Sequence, residues 1–256
     1  MSLRGKNAII TGARSGIGLA TLRLFASKGC NCWAVVHRND SEWLTEIETL
    51  QQDNLVWIKP VHINLEDYDS IKAGVQEMFK DKLPIDILVN AAGIVSENRL
   101  FTMTKLEDIR RVMEVNFFSI LELIQLVSRK MMRQNNGSII NIASIAADCE
   151  DTSQLEYATS KAALVCATKK LARELAPNGI RVNAVSPGLT QTKMVDSFSE
   201  DAVQKLLAGM VSNRFGKPEE VASVVAFLAD DESSFVNGVN IKVDDGGYDL
   251  RTLVSR

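Results

Sequence analysis

Tyr157 and Lys161 stand four residues apart in a stretch, about 153–176, that reads as helix, so both side chains lie on one helical face. A free tyrosine titrates near ~10. An ammonium group beside it favours the phenolate, so the pair suits proton exchange with a hydroxyl or carbonyl near neutral pH. Ser144, thirteen residues earlier, is placed to donate a hydrogen bond to the same substrate oxygen. Asn116 interrupts the otherwise apolar run "MEVNFFSI", where an amide has no packing purpose and suits a water linking Lys161 to solvent. A Y-x-x-x-K pair alone is also an ordinary exposed helix pair. Ser144 and the placement of polar residues described next set this one apart.

The elements that must position these groups are legible as alternating runs. Short apolar runs occur at 7–10, 32–36, 55–63, 85–89, 138–142, 180–185 and 239–243. Helical spacing lies between them, as in Ile17, Ala20, Leu24 and Phe25, and in Ile71, Val75, Met78 and Phe79. This alternation predicts an α/β fold, a Rossmann-type doubly wound parallel sheet of about seven strands with helices on both faces, in a single domain. The dinucleotide-binding half is expected over about 1–95. The polar stretch 188–217, with one helical pattern near 200–209, is expected to be a substrate-binding excursion.

Small or polar residues follow six of the seven runs: Thr11-Gly12, His37-Arg38, Asn64, Asn90 to Gly93, Ser144, and Ser186-Pro187-Gly188. Ligands of open parallel sheets bind outside these carboxyl ends, where the strand order reverses. The first turn, "TGARSGIG" at 11–18, supplies Gly12 for a sharp exit, and Gly16 and Gly18 for close backbone approach to a diphosphate at a helix N-terminus. The second strand ends in His37-Arg38 with no acid until Asp40. A basic group there accepts the 2′-phosphate of NADP, whereas an acid would hold the ribose hydroxyl of NAD. Arg14 is placed to join Arg38, so NADP(H) is expected over NAD(H).

With 256 residues and 46% hydrophobic content, the chain is long enough for one well-filled core. A net charge of −3 argues against nucleic acid as partner. The absence of an eighteen-residue apolar run argues against a membrane span, and with no signal-peptide pattern at the start a cytoplasmic location is expected. Cys30, Cys32, Cys149 and Cys166 lack metal-ligand spacing and are expected to be inert thiols, so no metal is expected.

Taken together, "TGARSGIG", "NAAG" (90–93), Asn116, Ser144, "YATSK" (157–161), "PGLTQT" (187–192), "RFGKPEEVA" (214–222) and "VDDGG" (243–247) resemble the classical short-chain dehydrogenases/reductases over the whole chain. Within that family the sequence is most similar to the 3-oxoacyl-acyl carrier protein reductases. The resemblance implies a nicotinamide cofactor, hydride transfer to a carbonyl or from a secondary alcohol, and a homotetramer. It implies Asn116, Ser144, Tyr157 and Lys161 as catalytic residues. Cofactor contacts are implied at Gly12, Arg14, Ser15, Gly16, Ile17, Gly18, His37, Arg38, Asn64, Leu65, Asn90, Ala91, Gly93, Tyr157, Lys161, Pro187, Gly188, Leu189, Thr190 and Thr192. Substrate contacts are expected from Ser144, Ile145, Val95, Met194 and Phe198, with Ile94, Ser96, Leu206 and Met210 nearby.

Three departures bear on the subfamily. The positions where these reductases carry basic residues for docking an acidic carrier correspond to Asn135 and Asn178. The loop after Ser144 carries Asp148, Glu150, Asp151 and Glu156, which would repel such a carrier. Asp245 replaces a glycine of the family's V-D-G-G. A small non-carrier substrate (a sugar, polyol, ketone or steroid-like alcohol) is therefore the alternative. A non-catalytic dinucleotide-binding sensor or scaffold is the alternative of another class, although a sensor needs none of the four catalytic groups. A Rossmann-type methyltransferase would likewise not need a tyrosine–lysine pair.

Overall fold

A computed structural model describes residues 3–95, 97, 99–148, 154–192, 203–204 and 207–247. All seven expected strands form: β1 (Asn7–Thr11), β2 (Asn31–Val36), β3 (Ile58–His62), β4 (Ile87–Asn90), β5 (Gly137–Ile142), β6 (Ile180–Pro187) and β7 (Asn240–Val243). They pair in parallel in the order β3-β2-β1-β4-β5-β6-β7. The order reverses between β1 and β4, which defines the crevice.

The helices are α1 (Gly16–Ser27), α2 (Ser41–Asn54), α3 (Tyr68–Lys80), α4 (Leu106–Met113), α5 (Ser119–Gln134), α6 (Leu155–Leu175) and α7 (Pro218–Ala229). The expected third strand starts late because Leu55 ends α2 in the left-handed conformation, φ 54°, and is exposed. Period two along the buried strands divides the core between the faces. Ala8 and Ile10 pack with Cys32, Ala34, Phe25 of α1, Trp43 of α2 and Val225 of α7. Ile9 packs with Trp33, Val35, Val75 of α3, Leu123 of α5 and Leu164 of α6.

Two of the helices, α2 and α3, start at aspartate side-chain caps. The Asp40 carboxylate accepts from Trp43 N at 2.9 Å, and Asp67 accepts from Asp69 N at 2.9 Å and Ser70 N at 3.3 Å. Cys30 and Cys32 are fully buried free thiols, and burial pushes the Cys32 thiol up; Cys166, unlike these two, is exposed on α6. Cys149 lies outside the described residues. Among the described residues, no helix is long and apolar enough to cross a membrane.

Candidate active site

The β1–α1 turn is built around backbone contact. A Cβ on Gly12 would lie 3.0 Å from the Ala92 backbone, and one on Gly18 only 2.2 Å from the Gly12 carbonyl oxygen. Any side chain at either position would drive β1, β4 and α1 apart. Gly12 and Gly16 also have positive φ, 68° and 54°. Thr11 Oγ1 accepts from Ala91 N and Ala92 N, both at 3.0 Å, so the ends of β1 and β4 are fastened across the crevice. The first turn of α1 contains no acidic residue, and its N-cap, Ser15, makes no side-chain capping bond among the described residues. The helix therefore presents N–H groups and partial positive charge without an anion of its own.

Arg14 leaves this turn toward α2, where its Nη2 forms an ion pair with Asp40 Oδ2. Its Nε is buried without a hydrogen-bond partner among the described residues. His37 and Arg38 are exposed beside it. A glycine cradle, an uncapped helix N-terminus, an orphaned Arg14 Nε and exposed His37 and Arg38 together fit a dinucleotide phosphate group. At the third strand end, Asn64 Oδ1 accepts from Glu66 N at 3.1 Å, which closes a turn. The neighbouring Leu65 carbonyl accepts from Ser119 of α5.

On the other side of the crevice, Ser144 follows β5, and its hydroxyl bonds the Tyr157 phenol on α6. Lys161, one turn on and 4% exposed, donates to the Ile142 carbonyl at 2.9 Å. Its Nζ lies 5.7 Å from the Tyr157 ring centroid. Burial holds the Lys161 ammonium down at about 8. The Tyr157 phenol differs from the sequence expectation: desolvation pushes it above its ordinary value, and the Ser144 bond pulls the other way. The reason is geometric. The Lys161 ammonium is directed at a carbonyl rather than at the phenol, so its charge does not offset the loss of water around Tyr157.

Asn116 is fully buried in a π-turn, Glu114–Phe118, that joins α4 to α5. Its Oδ1 accepts from Ile94 N at 2.8 Å, and its Nδ2 donates to Ile94 O at 2.8 Å and Ser160 Oγ at 3.2 Å. Ser160 Oγ in turn donates to the Tyr157 carbonyl at 2.7 Å. Asn116 thus holds the β4 exit against the helix that carries Tyr157. A Cβ on Gly93 would lie 3.1 Å from Asn116 Oδ1 and 3.4 Å from Lys161 Nζ, so Gly93 keeps both groups on one small space.

Asn90 extends this frame: its Nδ2 donates to Asn141 Oδ1 at 2.8 Å, and Asn141 Nδ2 donates to Thr168 Oγ1 of α6 at 2.9 Å. Sequence reasoning missed Asn141, Ser160 and Thr168. Asn141 was findable as a polar residue inside the apolar run "SIINI", whereas Ser160 and Thr168 read as ordinary helix residues.

The excursion after β6 is pinned at its ends. Gly188 N donates to Val243 O at 2.9 Å, Gly216 N to Leu189 O at 2.9 Å, and Gln191 N to Gly216 O at 2.8 Å. Arg214 holds Glu220 through two bonds, of 2.9 and 2.8 Å, and Glu220 accepts from Lys217 N at 2.7 Å. These bonds push the Glu220 carboxyl down to about 2. They place Thr192 against the glycine turn, since a Cβ on Gly16 would be 3.4 Å from Thr192 Cγ2. Pro187 and Thr190 are buried at this junction. Ile94 and Val95 follow the β4 exit and Ile145 follows Ser144, and all three are half-buried. Ser96, Met194, Phe198, Leu206, Glu150 and Asp151 lie outside the described residues.

Two of the four loop carboxylates do not face solvent as free charges. Glu156 is fully buried, and Asp148 pairs with Lys242 at 3.1 Å. Asp245 adopts a left-handed conformation, φ 56°, at the start of a turn where Gly246 and Gly247 also have positive φ.

The chain matches the family model described as Enoyl-(Acyl carrier protein) reductase over residues 12–249. It is 42% identical over 248 residues to the 3-oxoacyl-[acyl-carrier-protein] reductase FabG of Thermotoga maritima, covering 96% of this chain and 99% of that one. Among solved structures, it superposes on a 3-oxoacyl-[acyl-carrier protein] reductase from Brucella melitensis with TM-score 0.88 and 30% identity, covering 97% and 93% of the two chains. It also superposes on levodione reductase with TM-score 0.89 and 26% identity, covering 95% and 98%. The chain belongs to the short-chain dehydrogenase/reductase family, and it is an NAD(P)-dependent oxidoreductase. Within the family it is most similar to the FabG reductases.

Proposed function

We propose that this protein is a cytoplasmic enzyme that reduces the keto group of a 3-oxoacyl thioester with NADPH. The observation that carries the reading is the convergence of Ser144, Tyr157 and Lys161 at the ends of β5 and α6, beside a glycine turn that fits a dinucleotide. NADPH, when bound, supplies hydride to the carbonyl carbon. Ser144 holds the carbonyl oxygen, and Tyr157 gives it the proton. Lys161 takes the nicotinamide ribose from its place beside the Ile142 carbonyl, and Asn116 fixes the frame between it and Tyr157. Gly12, Ser15, Gly16, Ile17 and Gly18 take the diphosphate; Arg14, His37 and Arg38 take the 2′-phosphate. Asn64 and Leu65 lie on the adenine side, Asn90 supports the central strand with Ala91 and Gly93 at its exit toward Lys161, and Pro187, Gly188, Leu189, Thr190 and Thr192 line the nicotinamide end.

The similarity to FabG reductases supports the substrate class. Asn135 and Asn178, where basic residues are expected for a carrier protein, favour a small thioester over a carrier-bound one. The test is a panel of 3-oxoacyl thioesters, cyclic ketones and sugars, followed by NADPH absorbance and product analysis. The reading holds if the thioesters give the highest kcat/KM, and it fails if a ketone or sugar outruns them.

A further inference from the structure

The turn that receives the adenosine ribose under this reading contains a carboxylate in contact with its main cation. Asp40 caps α2 through Trp43 N, and the same carboxylate holds Arg14. Trp43 Nε1 donates to Ala13 O at 3.2 Å, so α2 and the glycine turn are fastened on either side of the pair. The side chains of Arg14 and Asp40 are 32% and 43% exposed, which leaves the pair open to an arriving phosphate.

We propose that Asp40 is a specificity-determining residue: by holding Arg14, it limits how strongly a 2′-phosphorylated dinucleotide is preferred over the unphosphorylated one. The inference rests on the NADP(H) reading above for its biological sense, but not for its measurement.

Two effects of Asp40 oppose each other. It pre-orders the Arg14 guanidinium, which favours phosphate binding. It also places a negative charge beside the group that a phosphate, itself carrying up to two negative charges, must share or take over. Ordering contributes little here. Arg14 Nε is buried beside the turn, so part of the side chain is enclosed and the ordering that Asp40 adds is the smaller effect. Repulsion therefore decides the sign. A ribose 2′-hydroxyl is neutral and can donate to a carboxylate, so the same residue costs NAD(H) nothing. Arg38 and His37, exposed at the same turn, remain available to the phosphate.

The test is Asp40→Asn. Asparagine has the same shape and caps a helix as well as aspartate, so α2 keeps its start while the charge is lost. Calorimetry with 2′,5′-ADP, 5′-AMP, NADPH and NADH reads affinity without any turnover. Removing the carboxylate is expected to tighten 2′,5′-ADP and NADPH about tenfold and to move 5′-AMP and NADH less than about twofold, a gain that shrinks at high salt. In an Arg14→Gln background the gain should fall below about threefold, because the effect runs through the shared guanidinium.

An unchanged or reduced ratio of phosphorylated to unphosphorylated affinity, in a protein whose thermal unfolding is unaltered, overturns the inference. A full gain persisting without Arg14 overturns it too. If the unmutated protein shows no preference and Asp40→Asn creates one, the inference stands and the NADP(H) reading falls. If the unmutated protein prefers the phosphate and Asp40→Asn leaves that preference as it was, the reverse holds.

Discussion

Tyr157 and Lys161 are displaced from their ordinary titration ranges by the same cause, loss of water, and in opposite directions. At neutral pH both therefore hold their protons, which is the state a reductase needs before it protonates a carbonyl oxygen. Tyr157→Phe keeps the ring and removes that proton. It is expected to lower kcat at least about a hundredfold with NADPH affinity nearly intact; a folded variant that turns over at near-normal rate would remove Tyr157 as the donor. Lys161 also bears on stability. Its folded value of about 8 lies below the 10.5 of the unfolded side chain, so the unfolded chain binds the proton more tightly. The penalty is complete below pH 8, and it fades as pH rises from about 8 to 10.5. From that shift the penalty is about 3 kcal/mol. Lys161→Met relieves it but also loses a bond from a charged group to Ile142, worth about 1.5–3 kcal/mol. Urea unfolding should therefore show the variant with a stability advantage of up to about 1.5 kcal/mol at pH 7 that shrinks toward pH 10. An advantage equal at both pH values contradicts the assignment. Sequence spacing found this pair, because four residues is about one helical turn, and Ser144 was legible from its place at the end of the fifth strand. Spacing did not find that the ammonium points at the Ile142 carbonyl, since that depends on where β5 ends relative to α6.

The seven strands were legible because each is a short apolar run bounded by helical spacing, and burial on both faces leaves little else for such runs to do. The π-turn was not legible. Its five residues, Glu114–Phe118, read as continuous helix, and only the single amide of Asn116 in an apolar run hinted that the regular ladder gives way there. The role of Asn116 follows from that extra residue, which turns its side chain onto the Ile94 backbone. The glycine turn was legible in composition, and the structure ranks its members. Gly18 has the harshest conflict, a backbone oxygen 2.2 Å from a would-be Cβ. Gly18→Ala must push α1 away from β1 and is expected to cost about 1–3 kcal/mol, with dinucleotide affinity falling in parallel. Thermal unfolding and calorimetry on one preparation check both; a stable variant that binds normally would show that the turn yields easily. Asp245 presents the opposite case. Its sequence position invites a functional explanation, but its φ of 56° shows a non-glycine residue in a conformation that glycine takes without cost. Asp245→Gly should raise stability by about 1 kcal/mol in a denaturant titration.

At the scale of the whole molecule, the two ends of the parallel sheet carry different properties. Ser144, Tyr157 and the glycine turn gather beyond the strand C-termini. Asn135 and Asn178 precede β5 and β6, at the opposite end, where Asn135 closes α5 with φ 51° and its carbonyl would be 2.4 Å from a Cβ on Gly179. The six residues of β5 alone put about 20 Å between the two ends. A carrier protein docked at Asn135 and Asn178 would thus sit away from the Tyr157 of the same chain, and these amides offer it no positive charge. The electrostatic barrier at the mouth is also smaller than the loop composition suggests, because Asp148 is paired with Lys242 and Glu156 is buried. On the proposed reading, weak carrier use would follow chiefly from missing attraction at Asn135 and Asn178, with repulsion at the mouth a lesser contribution. The two causes respond differently to salt. Screening relieves repulsion, so if repulsion dominated, carrier turnover would climb between low and high ionic strength. Missing attraction has nothing to screen and leaves turnover nearly flat. We expect a 3-oxoacyl group to be reduced no faster on carrier protein than on a small thioester at low salt, with little change at high salt. Asn135→Arg together with Asn178→Arg should raise carrier turnover at low salt, lose that gain at high salt, and leave the small thioester unaffected. A clear carrier preference in the unmutated protein, or a double variant with no gain, would show that this end of the sheet does not govern carrier use.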